Sequence, residues 1–365
     1  MDVSSIVNEF RGVVPRALDG LDTADWSPMS PRGMRQLTEV VLDQLALSGM
    51  SLIGARATPV ALPASRYAAA AQELSALGVR RAHADPPPLR VRTLRRHRIG
   101  RLSYEKLKFN HDPLLPDSLA SGKVSGPATA GAYLIRHVDG PRPWVVWIHG
   151  AGQGQPMDLF FSRAGRLHHE LGFNVALPVQ PGHGFRRTAW PTYPDREPLA
   201  NVAGMMRAVS EVRALVRWLQ PQSTSIAVSG VSLGSAVAAL VSALEAHVDA
   251  VAVYTPILGL NAMIARHLAR GGAAGERFRP LLESADVTSM TSVIDPLGAE
   301  PQAPPNRRLI VGAWNDQMAM RESTIALQQR WNGRLYWYDG SHVGHIFSRR
   351  IQAVTEDFLA DALTA

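Results

Sequence analysis

The chain contains no cysteine. That excludes disulfides, thiolate metal sites and a cysteine nucleophile, and it is compatible with a reducing compartment. Lysine is scarce too: Lys106, Lys108 and Lys123 are the only ones, so the net charge of +7 rests on arginine. No apolar run reaches the roughly 18 residues that a membrane helix needs. The opening "MDVSSIVNEFRGVVPR" has neither the basic nor the apolar segment of a secretory signal. A soluble, cytoplasmic protein is therefore expected.

What is present is apolar residue in quantity, 46% of 365 residues. This suits one large globular domain with an extension, or two domains. Residues 1–88 read as a helical N-terminal extension. "PRGMRQLTEVVLDQLALSG" follows a Ser30-Pro31 start signal and is expected to stop at Gly49, and "SRYAAAAQELSALG" runs from Ser65 to Gly78. The prolines Pro86, Pro87 and Pro88 mark a boundary, after which 89–365 form the main domain. That domain opens with a basic run, Arg90 to Lys108, holding eight Arg or Lys against one Glu. A nucleic-acid or anionic-lipid surface is one reading of it, and a solvated strand edge is the other. Without interleaved aromatics or a recognised motif, a nucleic-acid partner is not expected.

Strand and helix then alternate. "PWVVWIHG" (Pro143 to Gly150) is apolar without alternation, as in a strand covered on both faces. Phe160, Ala164, Leu167 and Leu171 repeat with helical spacing, and Gly172 closes that helix before "FNVALPV". A helix over about 201–219, strands at 225–228 and 248–257, and later strands "RLIVGA" and "RLYWYD" complete the series. Repeated βα units predict a mostly parallel sheet with helices on both faces. In such sheets ligands sit beyond the carboxyl ends of the strands, so chemistry is sought in the residues following each one. The segment 258–306 is irregular and is the natural candidate for a cap over the site, with Met263, Leu268, Phe278, Leu281, Leu282 and Met290 as an apolar lining.

After the strand at 225–228 stands Gly230-Val231-Ser232-Leu233-Gly234, a G-x-S-x-G motif set directly between strand and helix. A serine in so tight a bend is lifted clear of the sheet, and the two glycines let strand and helix approach. A serine hydroxyl is hardly nucleophilic alone, so it needs a histidine base and a carboxylate to orient that base. "RLIVGA" is followed by Asp316 and "RLYWYD" by His342. The order Ser232, Asp316, His342 resembles the α/β-hydrolase family of serine esterase or lipase type, over about residues 133–358.

The resemblance implies an acyl-enzyme mechanism on an ester, with Ser232 as nucleophile, His342 as base and Asp316 as its orienting acid. No metal or organic cofactor is implied. It also implies oxyanion donors: the Leu233 amide and one from His149-Gly150-Ala151-Gly152, with Ala151 first and Gly152 second. His345 is a rival for the base, and Asp295 and Asp286 are rivals for the acid. In the loop 180–197, His183, Arg186, Arg187, Trp190 and Tyr193 are candidate substrate contacts, as is Gly152. Thioesterase or amidase chemistry would use the same residues, and a non-catalytic hydrolase-like binding protein is the reading from another class. A dinucleotide-binding turn at Gly150 fails because position 155 is Gln155 where the fingerprint needs glycine.

Overall fold

The continuous apolar runs of the sequence become strands covered on both faces. The computed structural model describes residues 11–19, 21, 30–55, 62–120, 125–187, 193–270 and 272–364. Among them lies one nine-stranded sheet. Its strands are β1 (Val91–Ile99), β2 (Leu102–His111), β3 (Ala128–Ile135), β4 (Arg142–Ile148), β5 (Asn174–Pro178), β6 (Ser223–Val231), β7 (Ala250–Tyr254), β8 (Arg308–Ala313) and β9 (Arg334–Tyr338). Their spatial order is β1-β2-β3-β5-β4-β6-β7-β8-β9. Pairing is antiparallel from β1 to β5 and parallel from β5 to β9.

The helices are α1 (Val13–Asp19), α2 (Pro31–Ala55), α3 (Ala64–Ala82), α4 (Asp158–Phe161), α5 (Ala164–His169), α6 (Pro198–Leu219), α7 (Leu233–Leu244), α8 (Leu260–Ala269), α9 (Ala273–Glu276), α10 (Arg279–Leu282), α11 (Ala285–Met290), α12 (Arg321–Trp331) and α13 (Arg349–Leu363). Alternation along each strand divides the core into two layers. On β4, Trp144, Val146 and Ile148 pack with α6 and α7, while Val145 and Trp147 face the layer of α5 and α13. Each fully covered aliphatic side chain contributes roughly 1.5–3 kcal/mol.

Several local expectations are corrected. Helix α2 runs through Gly49 to Ala55, because a lone glycine weakens a helix by only about 1 kcal/mol and does not end it. Helix α3 kinks at Gly78, at φ 63°, and resumes to Ala82. The helix expected across Phe160 to Leu171 is split into α4 and α5 by Arg163 at φ 54°, a left-handed turn that leaves Phe160 48% exposed. In the segment 258–306, Leu268, Phe278 and Leu282 pack together with Ala265, and Met290 enters the main core. These four side chains are buried in packing contacts. The basic run forms β1, its turn at Gly100-Arg101, and β2, with β1 exposed at the sheet edge.

The strand order reverses at β4: β5 pairs on one side of it and β6 on the other. The crevice between the carboxyl ends of β4 and β6 is thus the topological switch point, where ligands of such sheets bind. Behind it, α6 is joined to α7 by a buried ion pair, Arg213 Nε donating to Glu245 Oε1 at 2.6 Å. Arg213 also donates to the Ala84 carbonyl at 2.7 Å. Glu245→Ala leaves that guanidinium buried without its main counter-charge. An expected loss of about 3–5 kcal/mol is checked as a lower urea midpoint at unchanged slope.

Candidate active site

Ser232 occupies the single residue between β6 and α7 at φ 55°, ψ −118°. For a non-glycine residue this is strained backbone, worth about 1–3 kcal/mol, and the surroundings must hold it. They do so by contact. A Cβ at Gly230 would overlap the Gly234 carbonyl, and one at Gly234 would overlap the carbonyls of Ile148 and His149 on β4. The Ser232 amide donates to the Tyr254 carbonyl of β7 at 2.9 Å. The serine is therefore fixed against both neighbouring strands.

The structure brings Ser232, His342 and Asp316 into one hydrogen-bonded line. Ser232 Oγ lies 2.8 Å from His342 Nε2, and Asp316 Oδ2 lies 2.8 Å from His342 Nδ1. The other oxygen of Asp316 accepts from the Met318 and Ala319 amides at 2.8 and 2.7 Å. Burial opposes the imidazolium form of His342, but the charge and hydrogen bond of Asp316 and the charge of Asp43 outweigh it and raise the pKa above its ordinary value. His345 is turned away. Its Nδ1 bonds the His342 carbonyl at 2.6 Å, its ring stacks on Tyr254, and burial lowers its pKa to about 4. It lines a cavity of about 70 Å³ between β4 and α13, on the far side of the sheet from α7. Asp295 caps its own turn through the Leu297 amide at 2.9 Å, and Asp286 is exposed in α11.

The loop after β4 lies alongside the serine: a Cβ at Gly150 would come to 3.2 Å from Ser232 Cβ. The Gly150 amide is taken by Gln153 Oε1 at 2.7 Å. Ala151 and Gly152 follow as an exposed turn, with Gly152 at φ 80°. Leu233 opens α7, and a first-turn amide has no carbonyl of its own helix to bond. His149 is locked beneath this turn. Burial lowers its pKa to about 3, so the ring is neutral, with Nδ1–H donating to the Gly150 carbonyl at 2.7 Å and Nε2 accepting from the Gln180 amide at 3.1 Å.

The loop after β5 departs from expectation. His183 is 4% exposed, with Nδ1 on the Pro181 carbonyl at 2.8 Å and its ring beside His149. Arg186 is paired with buried Glu211 at 2.6 Å, and Tyr193 packs flat on Gly204 of α6. All three brace the loop. Trp190 lies outside the described residues.

Two residues reached by no motif also meet here. Asp43 and Glu39 of α2 accept from the loop carrying His342: the Ser341 amide reaches Glu39 Oε2 at 3.1 Å, and the His342 amide reaches Asp43 Oδ2 at 2.9 Å. The available signal was positional. Gln36, Glu39 and Asp43 share a helix face with Val40 and Leu47, a stripe of polar side chains where an apolar one belongs.

No protein-family model matches the sequence. It is 31% identical over 281 residues to uncharacterized proteins of Mycobacterium tuberculosis from two strains, covering 74% of this chain and 67% of theirs, and it belongs to their family. Among solved structures, acetyl xylan esterase 1 of Thermoanaerobacterium sp. superposes with a TM-score of 0.55 at 14% identity, over 82% of this chain and 93% of that one. The acetyl xylan esterase of Paenibacillus sp. R4 gives 0.53 at 14% identity, over 86% and 99%. The chain has the α/β-hydrolase fold. The hydrolase fold accounts for the sharp bend at Ser232, since a residue there stands at the switch point of the sheet.

Because the bend rests on Gly234, Gly234→Ala is expected to push α7 off β4. The overlap should cost about 1–3 kcal/mol, checked as a lower Tm.

Proposed function

We propose that this chain is a serine hydrolase that cleaves carboxylic or lipid esters through an acyl-enzyme. The hydrogen-bonded line from Ser232 Oγ through His342 to Asp316, 2.8 Å at each step, carries the reading. His342 Nε2 takes the Ser232 proton as Oγ attacks the ester carbonyl carbon. The tetrahedral oxyanion is held by the amides of Leu233 and Ala151, each such donor worth about 2.7–4 kcal/mol. His342 then passes its proton to the departing alcohol, and water repeats the sequence to release the acid. Asp316 keeps the imidazole in the tautomer with Nδ1–H and stabilises its charged form.

Geometry at the reacting atoms is common to esters, thioesters and amides, so the pocket decides among them. Acetyl esters enter the substrate panel because both structural neighbours are, by name, acetyl xylan esterases.

Wild-type protein should be labelled by a fluorophosphonate and should turn over p-nitrophenyl esters, with the chain-length panel reporting the acyl pocket. Ser232→Ala should abolish both, and a folded wild type that resists the probe overturns the reading. A base works only when unprotonated. Activity should therefore appear as pH rises through the His342 pKa, and the acid limb of kcat/KM should have its inflection above 6.5.

A further inference from the structure

On the hydrolase reading above, we infer that Asp43 is a positioning residue of the reaction, acting through His342, and that helix α2 is a working part of the site. Asp43 sits wholly buried in α2 and bridges two loops that are distant from it in sequence. Its Oδ1 accepts from Ser341 Oγ and the Val343 amide, both at 2.9 Å. Its Oδ2 accepts from the His342 amide at 2.9 Å and the Gln317 amide at 3.3 Å. The first three donors belong to the turn that carries His342, and the fourth follows Asp316. One carboxylate thus sets the base and its orienting acid relative to each other. An ionised carboxylate offers about four acceptor positions, and four donors fill them.

The fit is backed by shape. A Cβ at Gly340 or Gly344 would collide with Glu39, so the turn is built to admit α2 at close range. Glu39 holds the same turn from one helical turn earlier, accepting from the Ser341 amide at 3.1 Å and from Tyr338 Oη at 2.5 Å. Beyond the backbone contacts, the negative charge of Asp43 favours the imidazolium that forms as Ser232 attacks. The other titratable groups that act on His342 are Asp316, His345 of its own turn and His267 of α8, Glu39 bonds the neighbouring Ser341 amide, and burial pushes the pKa of Asp43 itself up to about 6.

The test uses the full chain and the variant Asp43→Asn, which keeps the shape but sets an NH₂ group against backbone donors and removes the charge. A misplacement near 1 Å can cost about 100-fold, so kcat should fall about 10- to 100-fold while KM stays near wild type. The fluorophosphonate labelling rate should fall in step. The acid limb of kcat/KM should move to lower pH, because a carboxylate that raised the His342 pKa is gone; a packing role alone would leave the limb in place. Wild-type kcat, or an unmoved limb, in folded Asp43→Asn overturns the inference while leaving ester hydrolysis standing. A wild type that neither labels nor turns over esters overturns both. Should Asp43→Asn not fold, Ser341→Ala reads the same contact: kcat about 3- to 10-fold lower at constant KM supports the inference, and an unchanged kcat overturns it.

Discussion

The site is measured from the contact of α7 with β4. Gly234 lies against the Ile148 and His149 carbonyls with no room for a methyl group. That approach sets how far Ser232 stands above the sheet and where the first amides of α7 point. It also draws the loop after β4 to the serine, where Gln153 holds the Gly150 amide. The strained Ser232 backbone persists because both core layers meet on β4 and β6 and fix their positions.

Several buried histidines lie near this point, and the environments of four of them, His149, His183, His342 and His345, set them apart. Burial alone would keep every one neutral. It does so for His149, His183 and His345, each with its Nδ1 on a backbone carbonyl. His342 differs in facing two carboxylates, Asp316 by direct hydrogen bond and Asp43 across the turn, so its pKa alone of the four moves upward. The one ring whose charged form is favoured is thus set apart from three rings that burial holds neutral.

Much of this frame was legible in the sequence. Strands covered on both faces show as unbroken apolar runs, and β8 matches its sequence run from end to end. Ser232 and Asp316 were placed by following such strands, and His342 by following the run of β9, whose side chains are only partly buried. The break at Arg163 was not, since arginine carries no local preference for a left-handed turn. Arg186 and Tyr193 read as candidate substrate contacts because their partners, Glu211 and Gly204, lie on a helix the loop only later meets. Asp43 was hidden for the same reason on a larger scale: Ser341 is 298 positions away in sequence, and an acidic residue on a helix is ordinarily solvated.

The sheet has two free margins and ends differently at each. At β9, α2 folds over the end of the strand, with Gln36 and Arg35 bonding Asp339. At β1 no further strand pairs with the outer edge among the described residues, and Arg92, Arg95, Arg96 and Arg98 stand along it, exposed. A second copy approaching that margin would set like charges against like across the new ladder, which destabilises pairing. An arginine-rich edge of this kind works against the addition of a further strand.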